Sequence, residues 1–190
     1  VTKVGEAFQD GVSHFDFSAA ATRISVERSL RRLGVATLDA VLIHSDGDDL
    51  AILERETVLP TLFDLKQAGL IRAVGMSTKT VDGGLRAVEC CDLVMVTHNW
   101  YQREKLPVIR AAQATNKGVL IKKGLLSGHL DRIAEPDPIV ASLSSIYAEP
   151  GISSVVVGTL NPTHLRANAA AVERALAEQA KPARLTVGSA

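Results

Sequence analysis

Leu38-Asp39-Ala40-Val41-Leu42-Ile43-His44 and Ile71-Arg72-Ala73-Val74-Gly75-Met76-Ser77 decide the fold of this chain. Each is a short, mainly apolar run that ends on a polar residue. Neither alternates cleanly between apolar and polar, which marks strands covered on both faces. Working outward, similar runs occupy Val1–Val4, Leu93–Thr97, Val119–Lys122 and Ser153–Val157. Between them lie longer amphipathic stretches at Ala19–Leu33, Glu56–Ala68, Thr80–Glu89, Lys105–Asn116, Asp137–Ala148 and Pro162–Gln179. Ser18 is placed to cap the first of these, and Gly34 to end it. Within it, Ile24, Leu30 and Leu33 are expected on one side, with Arg23, Arg31 and Arg32 facing water. Strands alternating with helices predict βα units, right-handed crossovers and a parallel sheet.

Composition narrows the function classes. Of 190 residues, 46% are apolar and 22% charged, an ordinary globular balance. Twenty-one basic and 21 acidic residues cancel, which argues against nucleic acid and acidic membranes as partners. No apolar run approaches the ~20 residues of a membrane span. The two cysteines, Cys90 and Cys91, form no disulfide framework and suggest a reducing, cytoplasmic setting. A single domain over residues 1–180 and a tail over 181–190 are expected. The oligomeric state is left open.

Six βα units fit an open doubly wound sheet or most of a barrel. The first strand is followed by Gly5, Gly11 and a polar segment, Glu6–Asp16, with no helix start. A dinucleotide fingerprint is therefore absent, and the barrel is favoured. Barrels of this kind carry their chemistry at the C-terminal strand ends. Those ends hold Lys3, His44, Ser77, His98, Lys122 and Gly158. A lysine and an imidazole on neighbouring ends suit acid–base work and oxyanion stabilisation. Each also has a plainer reading, His44 as a hydrogen-bonded structural histidine and Lys3 as a solvated cation near the first residue. His14, His98 and His129 lack metal-ligand spacing, so no metal is expected. Asp46, Asp48 and Asp49 read as solvating a loop.

Five segments together resemble the aldo-keto reductase family: Val1–Gly5, Arg28–Gly34, Leu38–His44, Gly69–Ser77 and Val155–Asn168. They follow the family's order at about its spacing. The resemblance implies a (β/α)8 TIM barrel, here incomplete with about six units. It implies an oxidoreductase that reduces a small aldehyde or ketone by hydride transfer from NADPH, with NADH possible. The alternative is a nucleotide-binding module without turnover. Lys3 matches the lysine that lowers the pKa of a catalytic tyrosine, and His44 the histidine that orients the carbonyl. Ser77 matches a residue that holds the nicotinamide carboxamide, while Met95 stands where many members carry glutamine. Lys122 stands where many members stack an aromatic ring. Lys122, Gly124 and Leu125 would line the pyrophosphate, and Gly158, Thr159 and Leu160 the ribose phosphate. His164 stands where others often carry arginine, and Asn168 matches an adenine-contacting asparagine.

The family's catalytic aspartate and tyrosine lie after its second strand, whereas Val1 begins on what resembles its third. Tyr101 and Tyr147 match neither position. A chain of this extent is expected to be part of a longer protein. Expressed alone, with two strand edges exposed, it is expected to aggregate or to need complementation, which a cooperatively melting monomer would contradict.

Overall fold

Strands apolar on both faces need a layer on each side, and the chain supplies helices for one of them. The computed structural model describes residues 1–179; the expected tail at 181–190, and residue 180, lie outside the described residues. The strands of the main sheet are β1 (Thr2–Val4), β4 (Leu38–His44), β5 (Ile71–Ser77), β6 (Leu93–Thr97), β7 (Gly118–Lys122) and β8 (Ser154–Val155). They pair in that order, all parallel, as an incomplete barrel wall. The helices are α1 (Ala19–Leu33), α2 (Asp49–Glu54), α3 (Val58–Gln67), α4 (Val81–Cys90), α5 (Leu106–Ala114), α6 (Pro138–Tyr147) and α7 (Pro162–Gln179). No helix among the described residues is long and apolar enough to cross a membrane.

Register divides the sheet into two faces. Val4, Val41, Ile43, Val74, Met76, Val94 and Val96 pack outward in one large cluster with the helices. Ala40, Leu42, Leu93 and Met95 form a separate cluster on the inner face, with Ala73 and Leu120 against it. Lys3 pairs with Leu42 and His44 with Ser77, so these side chains share the inner face at its C-terminal rim. Gly75 makes room there, because a Cβ would come within 2.4 Å of the Leu93 carbonyl oxygen.

Three elements depart from the expectations. The segment Glu6–Asp16 is an antiparallel hairpin, β2 (Glu6–Gln9) and β3 (Val12–Phe15). Asp10 and Gly11 turn it with φ of 52° and 82°, the two positive angles a two-residue hairpin loop requires. Gly5 lets it leave β1, with φ of 95° and the Phe17 ring 2.5 Å from where a Cβ would sit. On α1 the packed face differs from the expected one: Thr22, Ser25 and Val26 are buried, while Ile24 and Leu33 are each 60% exposed. Thr22 tolerates burial because its hydroxyl donates to the Ser18 carbonyl, 2.8 Å away. Expected strand Ser153–Val157 shrinks to two residues, since only Leu120 and Ile121 offer it partners.

A fourth departure concerns Asp49. It was expected in a solvated loop, yet it lies in α2 and is 1% exposed. Its carboxylate accepts from the backbone N–H of Lys79 (3.0 Å) and of Thr80 (2.7 Å), and from the Thr80 hydroxyl (2.7 Å). That bond set anchors the start of α4 behind the rim. Gly83 is obligatory opposite it, because a Cβ would fall 2.1 Å from that of Asp49. Asp48, by contrast, is exposed and caps α2 through Ala51 N–H at 3.2 Å. Asp49→Ala leaves two N–H groups without an acceptor and is expected to lower the unfolding free energy by about 3 kcal/mol. Asp48→Ala should cost about 1 kcal/mol. Urea midpoints of the two variants check the difference.

Candidate active site

His44 closes β4, and parallel pairing sets it beside Ser77 of β5. Lys3 comes from β1 on the other side. Both line one recess of about 460 Å³ with Thr2, Glu6, Met95 and Val156. Glu6 of the hairpin forms an ion-pair contact with His44 Nδ1, and Phe15 meets the imidazole edge-on at 6.5 Å. Burial pushes the His44 pKa down; Glu6 opposes this, and Lys3 and Lys122 add to it. The Ser13 hydroxyl, 2.6 Å from Glu6 Oε1, holds the Glu6 carboxyl below the usual range, and His44 contributes in the same direction. Sequence reasoning missed Glu6. The signal that was there is the Asp10-Gly11 turn, which predicts the hairpin but not its docking.

Lys122 ends β7 on the same inner face. Its Nζ donates to Ser77 Oγ at 2.9 Å and to the Thr78 carbonyl at 3.0 Å, spanning β6. Ser77 is 1% exposed and already accepts one bond, which leaves its hydroxyl proton to offer. Burial lowers the Lys122 pKa to about 8, helped by Lys123, Lys3 and Lys79 and opposed by Asp49.

A second cleft, of about 630 Å³, opens beside the rim. Lys123, Gly124 and Leu125 line one side, and Gly158, Thr159, His164 and Asn168 the other. Lys123, Leu126 and Ser127 all adopt positive φ (57°, 51° and 55°), a strained conformation for non-glycine residues. Gly124 packs so tightly that a Cβ would sit 2.8 Å from Val155 Cγ1, and its carbonyl accepts from the Ser142 hydroxyl at 2.7 Å. Across the cleft α7 begins. Thr159 Oγ1 accepts from Asn161 N–H at 3.1 Å, and Asn161 Oδ1 from Thr163 N–H at 2.9 Å. Asn168 sits buried one turn further in. Three predicted cofactor residues do not line this cleft. Lys122 turns inward and bonds Ser77, and Leu160 projects fully into water.

The cleft offers groups of the kind a phosphorylated ligand uses. Backbone N–H groups near a helix N-terminus and the Lys123 ammonium suit phosphate, and a buried carboxamide suits a base edge. The recess with Lys3 and His44 lies at the sheet's rim, where a reacting carbonyl would meet a cation and an imidazole. Tyr101 takes no part in it: its hydroxyl contacts the Arg132 carbonyl. Tyr147 packs against the α6–α7 cluster. Among the described residues no group of three His, Cys, Asp or Glu side chains is placed to hold a metal. Cys90 and Cys91 are both free, with sulfurs 4.0 Å apart.

Comparison with known proteins gives a consistent result. The model of the aldo/keto reductase family matches residues 1–142. A crystal structure assigned to the aldo-keto reductases, from Pseudomonas aeruginosa, is 51% identical with a TM-score of 0.84; the match covers 92% of this chain and 66% of that one. This chain therefore spans a little under two thirds of that relative's length. The holo form of an aldo-keto reductase from Bacillus halodurans is 21% identical, TM-score 0.76, with 95% of this chain and 72% of the other covered. The glycerol dehydrogenase of Gluconobacter oxydans is 18% identical, TM-score 0.66, with coverage of 98% and 75%. The latter two share the fold. A search of the curated proteins gave no match.

Lys122 carries a measurable consequence. It titrates near 8 when folded and near 10.5 when unfolded, so between those values the unfolded chain holds the extra proton. Stability contributed at this site therefore rises with pH across that window. Lys122→Met should remove that rise, seen as a flatter difference in urea midpoint between pH 8 and pH 10.5.

Proposed function

This chain belongs to the aldo/keto reductase family, and on that premise we propose that it carries the Lys–His and nucleotide-holding part of an NAD(P)H-dependent oxidoreductase acting on small aldehydes or ketones. The observation that supports this reading best is the meeting of Lys3 and His44 in one recess beside a cleft suited to a dinucleotide. The chemistry a reduced nicotinamide supplies is delivery of a hydride to a carbonyl carbon.

The chain's own residues then divide the work. Lys3 places a cation where a phenol or alcohol would be acidified. His44 engages the substrate oxygen. Ser77, with its hydroxyl proton to spare, holds a carboxamide, and Lys122 fixes Ser77 in place. Gly124, Leu125, Gly158 and Thr159 border the phosphates, His164 lines the same cleft, and Asn168 reads the adenine. NADPH is the favoured cofactor, with NADH as the alternative. The two free cysteines support a cytoplasmic setting.

A second reading, nucleotide binding without turnover, draws support from the tyrosines. Among the described residues neither Tyr101 nor Tyr147 lines the Lys3–His44 recess.

Titration of the chain with NADPH, followed by the fluorescence of Trp100 and of the dinucleotide, tests both readings. Saturable binding is expected, weakened about tenfold by Asn168→Ala, the worth of one well-made hydrogen bond. No binding would overturn both. In carbonyl-dependent NADPH consumption by the protein that contains this segment, His44→Ala should lower kcat by about a hundredfold while NADPH affinity holds. Binding without consumption would leave the second reading standing.

A further inference from the structure

The hairpin adds a group to the rim that the proposed chemistry has not used. Glu6 pairs with Phe15 across β2 and β3, and Ser13 lies on the same face two residues earlier. That register gives each Glu6 oxygen its own partner. Oε1 takes the Ser13 hydroxyl at 2.6 Å, and Oε2 meets His44 Nδ1. Phe15, the cross-strand partner of Glu6, meets the imidazole edge-on at 6.5 Å, and Lys79 stands over the Phe15 ring at 5.9 Å. One hairpin thus supplies both the carboxylate that contacts the imidazole and the ring that packs against it.

We propose that Glu6 is a positioning residue that keeps the single proton of neutral His44 on Nδ1 and so presents Nε2 as an acceptor to the substrate oxygen. The inference rests on the reading of His44 as the imidazole that engages substrate. Its physical basis is elementary. An ionised carboxylate only accepts hydrogen bonds, so the ring nitrogen against it must carry hydrogen. Among the described residues Nε2 forms no hydrogen bond, which leaves it for a ligand. Lys3 on β1 and Lys122 on β7 both face the ring and disfavour a second proton, as does burial. Glu6 on β2 is the one facing group that favours it, and Lys79, after β5, acts on Glu6.

The consequence concerns direction. With the proton on Nδ1, Nε2 takes a hydrogen bond from a hydroxyl, the alcohol form of the substrate couple. It donates to a carbonyl oxygen only once the ring is doubly protonated. Glu6 therefore tunes the site toward the alcohol side above the His44 pKa and toward the carbonyl side below it.

Long-range 1H–15N spectra of the labelled full chain, with His44 assigned by its loss in His44→Gln, test this without cofactor or substrate. The wild type is expected to show hydrogen on Nδ1 and a bare Nε2 at pH above the ring's pKa. Glu6→Gln keeps an acceptor and the shape, so the tautomer should persist while the His44 pKa falls by about one unit. Glu6→Ala should lower the pKa similarly and release the tautomer toward Nε2–H. Should the alanine variant fail to fold, the glutamine variant decides alone. A wild-type proton on Nε2, or a His44 pKa unmoved in Glu6→Gln, would overturn the proposal. Failure of NADPH binding or turnover would count against the proposed function and leave these spectra unaffected.

Discussion

Parallel pairing in strict register is the constraint from which the site follows. Side chains alternate faces along a strand, so sliding β4 by one residue against its neighbours would turn Leu42 and His44 toward the helices and Val41 and Ile43 inward. The observed register prevents this because Val41 and Ile43 belong to the large apolar cluster under the helices, whereas the inner cluster is small. Since all six strands run the same way, their C-terminal ends meet at one rim. Lys3, His44, Ser77 and Lys122 gather there as a by-product of burying valine and isoleucine on the other face.

The rim that results is electrically uneven. Lys3 and Lys122 both act on His44, and Lys79 stands close by. Glu6 faces them from the hairpin and Asp49 from behind. Like charges brought this close are tolerated when burial depresses protonation, as it does at Lys122, whose ammonium form is in turn held by its bonds to Ser77 and Thr78. The lysine also ties the end of β7 to the end of β5 across β6. A stacked aromatic ring in the same place would offer an apolar plate; an ammonium offers instead a fixed donor and a flexible stem. The two designs present different surfaces, and the second makes Ser77 part of a pair.

Rigidity behind the rim has a different origin. Asp49 holds two backbone N–H groups and a hydroxyl at the loop between β5 and α4, with Gly83 pressed against it. The loop after β7 is strained at Lys123, Leu126 and Ser127. The second of these sets backbone next to the larger cleft, where a ligand would otherwise have to order it.

Strand runs, helix runs and the parallel class were legible in residue order, because burial on two faces and amphipathic periodicity are local properties of the chain. That Lys3 and His44 would share one rim was legible because each lies at or next to the end of a strand run. The packed face of α1 was misread, since periodicity marks Ile24 and Leu33 as apolar but not what lies opposite them. Asp49 looked like a loop residue because nothing local tells a solvated carboxylate from one that caps another segment thirty residues away. Glu6 and the Lys122–Ser77 bond were equally hidden. Each depends on groups brought together from distant segments, and only the packed sheet specifies those distances. Local order determined which elements form; the tertiary structure decided which polar groups they bring into contact.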